Sequence, residues 1–190
     1  MPKLVCTFLL LIVVSPVFAQ TKYEKEVRIQ EADVPAVALD YVNAFAFSKK
    51  IKWFKEYGLE STSIEAKTRS DGKRFSIEFN DNGKLEDVEI DLRWKQLPEE
   101  VRSTIDRYLN EIYGKYRLDK AQIQYSGDPD HILRFLRKKE EHQNITIRYE
   151  LVIHARVRKQ YRQFEYLFDD AGSYIRSAEI ILRNSDNIEY

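Results

Sequence analysis

Three hydrophobic patterns follow one another along the chain: one apolar run, a helical period, then strict alternation, and the last two recur. The run spans Leu4 to Val14. Thr21 to Gln30 is charged with weak alternation and reads as an edge strand or a flexible arm. Asp33-Val34-Pro35 then precedes Ala38, Val42 and Phe45, which share one face at helical spacing, so a helix is expected with Asp33 as its cap and Pro35 in its first turn. Beyond it Ile51–Lys55 predicts a short strand, and Ser61–Arg69, Arg74–Asn80 and Leu85–Leu92 alternate as sheet strands do. That register directs Phe75, Ile77 and Phe79 inward and Arg74, Ser76 and Glu78 outward. Ser70-Asp71-Gly72 and Asp81-Asn82-Gly83 supply the turns.

The same order returns. Trp94 to Glu100 opens a second helix with Val101, Ile105, Tyr108, Leu109 and Ile112 on its apolar side, and Gly114 ends it. Strands are expected at Leu118–Tyr125, Ile145–Val157, Gln160–Phe168 and Tyr174–Leu182. Leu97-Pro98 repeats Val34-Pro35, and Phe168-Asp169-Asp170-Ala171-Gly172 repeats Phe79-Asn80-Asp81-Asn82-Gly83. An internal duplication follows, with an extra short helix around 129–141 in the second copy, carrying Ile132, Leu133, Phe135 and Leu136. The expected fold is α+β: a tandem of helix-plus-antiparallel-sheet units, residues 20–93 and 94–190, with the sheet backed by helices.

The opening run changes the picture of where the protein works. Lys3, the apolar stretch and the small-residue site at Val17-Phe18-Ala19 form a signal-peptide pattern over 1–19, too short and proline-interrupted for a comfortable membrane span. The expected location is the periplasm or the medium. Cys6, the only cysteine, lies in this leader, so the mature chain is expected to hold itself together by packing, without disulfides. Lys+Arg and Asp+Glu are both 31, and loss of Lys3 leaves the chain close to neutral, without a global field to steer nucleic acid.

Taken in order, Asp33-Val34-Pro35, Lys52-Trp53, Phe79 to Gly83, Leu97-Pro98, Tyr149-Glu150 and Phe164 to Gly172 resemble the PepSY-like exported proteins of Bacteroidota-type bacteria, relatives by fold of beta-lactamase inhibitor proteins. The resemblance covers nearly all of the mature chain and rests on the order of the pieces. It implies tandem helix-on-sheet units without an active site, and a role in binding or inhibiting an exported protein such as a peptidase. The inserted segment and the lack of a lipoprotein cysteine depart from that pattern.

Direct chemistry is sparse. His131, His142 and His154 match no zinc-site spacing, and there is no nucleophile elbow or phosphate-binding glycine loop. Asn80, Asp81, Asn82, Glu86 and Asp87 raise calcium, but the twelve-residue loop spacing is missing and a hairpin turn accounts for Asn-Gly. Asp169-Asp170 reads the same way. The other acids are expected to face solvent, and no cofactor is called for. Arg134, Arg137, Lys138, Lys139, Arg156, Arg158, Lys159 and Arg162, with Tyr149, Tyr161 and Tyr166, form either a solvated face balanced by Glu140, Glu141 and Glu150 or a surface for an acidic protein segment or a polyanion. Candidate interface residues are Trp53, Tyr57, Trp94, Tyr149, Tyr161 and Tyr166, with Trp53, Tyr57 and Trp94 expected near the seam or open face of the sheet. The functional expectation is an exported, non-enzymatic protein-binding module that inhibits or regulates a peptidase or other envelope enzyme. The alternatives are a chaperone-like or structural envelope protein and a small-ligand or calcium-binding protein.

Overall fold

The computed structural model describes residues 20–22, 25–59, 61–138 and 144–181; the expected leader over 1–19 and His142 fall outside them. In chain order the elements are β1 (Gln20–Lys22), β2 (Lys25–Ile29), α1 (Ala36–Ala44), β3 (Lys52–Tyr57), β4 (Thr62–Ser70), β5 (Lys73–Asn80), β6 (Leu85–Asp91), α2 (Glu99–Tyr113), β7 (Tyr116–Gly127), α3 (Pro129–Lys138), β8 (Ile145–Val157), β9 (Gln160–Asp169) and β10 (Tyr174–Ile180). The architecture is α+β. All ten strands join one sheet in the order β1-β10-β9-β8-β7-β6-β5-β4-β3-β2, antiparallel throughout except for the parallel β1–β10 pair.

That order has a geometric consequence. β1 and β2 lie at opposite edges of the sheet, yet only two residues separate Lys22 from Lys25. Three Cα–Cα steps span at most about 11 Å, whereas the edges of a flat ten-stranded sheet stand roughly 40 Å apart. The sheet is therefore rolled until its edges meet. Side chains converge across the inside: Asp87 on β6 feels the charges of Arg176 on β10 and Lys22 on β1.

The helices cover the outer, convex face. There, two apolar clusters follow the alternation of the strands. In the first, Trp53, Ile64, Ala66, Ile77, Phe79, Val88 and Ile90 pack under Ala38, Val42 and Phe45 of α1 and the residue after it. In the second, Ala121, Tyr149, Leu151, Ile153, Phe164 and Phe168 pack under Val101, Ile105 and Leu109 of α2. Each fully buried aliphatic side chain here contributes roughly 1.5–3 kcal/mol. The inward direction read for Ile77 and Phe79 holds, with both fully buried.

Both helix entries are built alike, and not as simple caps. A 3₁₀ turn, Glu31–Asp33 or Trp94–Gln96, precedes each helix. Its backbone N–H at Gln30 or Arg93 donates to Asp33 Oδ2 (3.2 Å) or Gln96 Oε1 (2.8 Å). Asp33 thus caps the 3₁₀ turn rather than α1, and Trp94 belongs to a turn rather than to α2. The chain then extends through Val34-Pro35 or Leu97-Pro98, because each proline holds the preceding residue out of the helical region.

The two closing turns also match. Asn80 Oδ1 accepts from the N–H groups of Asn82 and Lys84, and Asp169 Oδ1 from those of Ala171 and Ser173. Gly83 then lies against Pro35 and Ala38, and Gly172 against Val101, Thr104 and Ile105. Each turn glycine is thus the contact that seats its helix on the sheet. The inserted helix α3 does not build a surface of the second half. It packs Ile132, fully buried, with Leu133, Phe135 and Leu136 against the first cluster, tied by Tyr41 Oη donating to the Pro129 carbonyl (3.1 Å) and an Arg137 N–H donating to the Ala44 carbonyl (2.5 Å).

A Cβ at Gly172 would stand 2.8 Å from the Val101 carbonyl oxygen at φ +83, whereas Gly72 at φ +75 meets nothing within 4 Å. Gly172→Ala is expected to cost roughly 2–4 kcal/mol, strain plus overpacking, against roughly 1–2 for Gly72→Ala, strain alone. Equilibrium urea unfolding of both variants checks the order, and equal losses would remove the seating role of Gly172.

Candidate functional site

Polar chemistry gathers at two places, the inner face of the roll and the tip of the β8–β9 hairpin. The inner face takes the alternate residues of each strand, and in cross-strand register these bring Glu65 beside Glu78, Glu78 beside Asp87, Glu89 beside Gln124, and Gln122 beside Glu150. Alternation assigns such positions to solvent. Rolling encloses them instead: Glu65 and Glu89 are 4% exposed, Glu165 7% and Glu150 8%. Val152, Leu167 and Ala178, buried yet part of neither helix-backed cluster, share this inner surface.

Enclosed carboxylates need partners or protons. Lys22 Nζ lies 2.6 Å from Glu165 Oε2, and Lys67 Nζ lies 2.7 Å from Glu65 Oε2 and also pairs with Glu26. Burial opposes the Lys67 charge, but Glu65 and Glu26 outweigh it and hold its pKa above the ordinary value. Ser76 Oγ donates to Glu65 and Gln124 Nε2 to Glu89 Oε1 (3.2 Å). Glu78, Asp87 and Glu89 offer oxygens within 4.8 Å of one another. Burial first, and neighbouring carboxylates after it, raise all three pKa values, Asp87 to about 7. Burial, then Glu165, pushes Glu150 up to about 7 as well. Three oxygens this close suit a hard divalent cation, and their burial equally favours retained protons. In the other carboxylate group, Glu26, Glu56 and Glu65, the Lys67 ammonium already supplies the cation.

The turn acids raised for calcium are committed elsewhere. Asn80 and Asp169 hold turn amides. Asp81 takes the Thr62 hydroxyl and, at 3.1 Å, the Lys55 ammonium, the first of which leads in holding its pKa below the ordinary value.

The structure scatters the six aromatic candidates. Trp53 is 4% exposed within the first cluster, on the helix-covered face rather than at a seam or open face, and Tyr57 shares that face at its edge. Tyr149 and Tyr166 are buried in the second cluster, where Tyr166 and Tyr113 hydroxyls meet at 2.7 Å, and Trp94 packs half-buried beside it. Only Tyr161, 79% exposed, stands clear of the body.

Tyr161 sits on the hairpin tip. β7 pairs with β8 no further than Ala155, and β10 with β9 no further than Gln163. The segment from Arg156 to Tyr161 therefore projects beyond its neighbours, with Val157 and Gln160 as its last pair. The connecting Arg158 (φ 48) and Lys159 (φ 71) are both left-handed, the geometry of a primed two-residue turn that favours Asn-Gly. The β4–β5 hairpin makes the same turn with Asp71 (φ 50) and Gly72 (φ 75). Two long cations in this conformation cost roughly 1–2 kcal/mol each, a local rule broken at an exposed tip.

No family model matches the chain, and no curated protein matches it. Among solved structures it is similar in fold to a DUF2874 family protein from Bacteroides ovatus ATCC 8483 (TM-score 0.51, 11% identity, covering 77% of this chain and 87% of that one). A DUF2874 family protein from Bacteroides uniformis ATCC 8492 gives TM-score 0.50 at 12% identity over 77% of this chain and 89% of that one. A BLIP-like protein from Bacteroides fragilis NCTC 9343 gives TM-score 0.48 at 14% identity over 83% and 92%. At these identities the likeness concerns the fold alone.

The raised carboxylate pKa values fix the sign of a pH effect. Glu150 binds its proton more tightly folded than unfolded, so its stabilising share is present below about 4.5 and lost as pH rises through about 7. Glu150→Gln removes the charge at every pH. It is expected to raise stability by roughly 1–3 kcal/mol at pH 8 and to match the parent near pH 4. Urea unfolding across that range checks it; a variant less stable than the parent at pH 8 would refute the buried-proton account.

Proposed function

We propose that the chain is an exported, non-enzymatic protein-binding module of two duplicated helix-plus-sheet units, and that the β8–β9 hairpin tip is its contact surface. The observation that carries this reading is the exposed tip itself, with Tyr161 beside Arg156, Arg158 and Lys159 in a turn that disfavours long side chains. Aromatic and arginine side chains are the types that dominate protein interfaces, and a partner with an acidic patch complements them. The rolled sheet supports the choice of tip over face, since its inner surface is enclosed and its outer one lies under helices. Of the inner carboxylates, Glu165 and Glu65 are engaged by Lys22 and Lys67, which supports a structural role for those two. The sequence resemblance to PepSY-like and inhibitor proteins makes an exported peptidase the partner class to try first, with inhibition as the outcome.

Arg158→Asn with Lys159→Gly tests this cleanly, because it removes two tip charges while installing the residues the turn prefers. Stability is expected to rise by roughly 1–3 kcal/mol while capture of a native envelope partner, read by mass spectrometry on immobilised residues 20–190, is lost. Tyr161→Ala should weaken capture at unchanged stability. A partner retained equally by parent and both variants would move the interface off the hairpin.

A further inference from the structure

At the end of the roll formed by the β4–β5 turn lies a cleft of about 600 Å³, and its walls are cationic out of proportion to this near-neutral chain. Seven of its lining residues are lysine or arginine and two are aspartate. The aspartates offset them only in part. Asp91 is engaged by Arg74 Nε (2.6 Å) and by Gln122 Nε2 (3.3 Å), and Asp119 faces His154 (3.5 Å) on β8 and Gln163 (3.3 Å) on β9. Lys67 is balanced by Glu65 and Glu26. Among the described residues, Lys49, Lys50, Lys52, Arg69 and Lys120 have no carboxylate within 4 Å.

The cross-strand register sharpens the point. Lys52 stands directly opposite Lys67, and Arg69 directly opposite Arg74, on the same face of the sheet. Like charges directly opposed destabilise a sheet, and here two such pairs are adjacent. Lys49 and Lys50 are held at the cleft rather than left on a free loop, because the buried Thr68, which points to the helix-covered face, lies with its hydroxyl within bonding reach of both their carbonyls (3.4 and 3.3 Å). A concave wall of one sign concentrates the field at its centre, and lysine and arginine donors together suit groups with several anionic oxygens.

We propose that this cleft binds a small organic polyanion carrying phosphate or sulfate groups. Its volume exceeds what a single such group fills, and its unpaired cations are spread around the wall, so at least two anionic groups are engaged. The site is independent of the hairpin tip and uses none of its residues.

Isothermal titration calorimetry of the protein with inorganic tripolyphosphate and with a sulfated heparin disaccharide tests it. Saturable binding of either probe is expected, weakening as salt rises, and the probe that binds identifies the phosphate or sulfate chemistry. Lys52→Gln with Arg69→Gln should lower affinity about tenfold or more. Its melting temperature should not fall, because the double variant relieves both like-charge pairs. Lys95→Gln with Arg107→Gln, equal in charge but at the α2 side, should bind as the parent does. No saturable heat with either probe, or an equal loss in the Lys95/Arg107 variant, would overturn the proposal.

Discussion

The rest of the structure depends on a covalent constraint: two residues link the strand at one edge of the ten-stranded sheet to the strand at the other. A sheet joined in this way cannot be flat, and its two faces cease to be equivalent. The convex face has room for helices, so the apolar alternation points there and divides into two clusters, one under α1 and α3 and one under α2. The concave face has no room for helices and must enclose whatever side chains the alternation left behind.

Those side chains are largely carboxylates, and their enclosure sets the protein's electrostatics. Lys22 and Lys67 neutralise part of the group, and shared protons neutralise more. Cations that do not reach inward collect where the strands end: Lys49, Lys50, Lys52 and Arg69 at one mouth, with Arg156, Arg158 and Lys159 at the hairpin projecting from the same end. The opposite turns carry Asp81, Asp128, Asp130, Asp169 and Asp170.

Much of this architecture is legible in the chain. Alternation located β4, β5 and β6 to within a residue or two, and the turn residues marked their joints, because both signals are local. The paired landmarks at Pro35 and Pro98 marked the helix entries and those at Gly83 and Gly172 the closing turns, but that each glycine also seats a helix is a non-local contact. What stayed hidden is non-local. Alternation separates two faces but does not say that the polar one will be enclosed, so Glu65, Glu89, Glu150 and Glu165 read as solvent-facing. Trp53 read as lying near the seam or open face of the sheet for a related reason, since its neighbours across the sheet come from pairing with Ala66. The hairpin tip did leave a signal, the Arg158-Lys159 pair between two alternating runs, although no glycine marked it as a turn.

The parallel pairing of Gln20 with Ala178 joins the first strand among the described residues to the last. Every other strand pair forms between segments close in synthesis order or within one half, but this one waits for nearly the whole polypeptide. Contacts of such separation slow folding, because the loop they close must be ordered first. Hairpins and helix seats can form from local segments, yet the roll cannot be completed until β10 reaches β1. Closure is thus the final event in the life of the unfolded chain, and until then the inner carboxylates remain in water, ionised and mutually repelling.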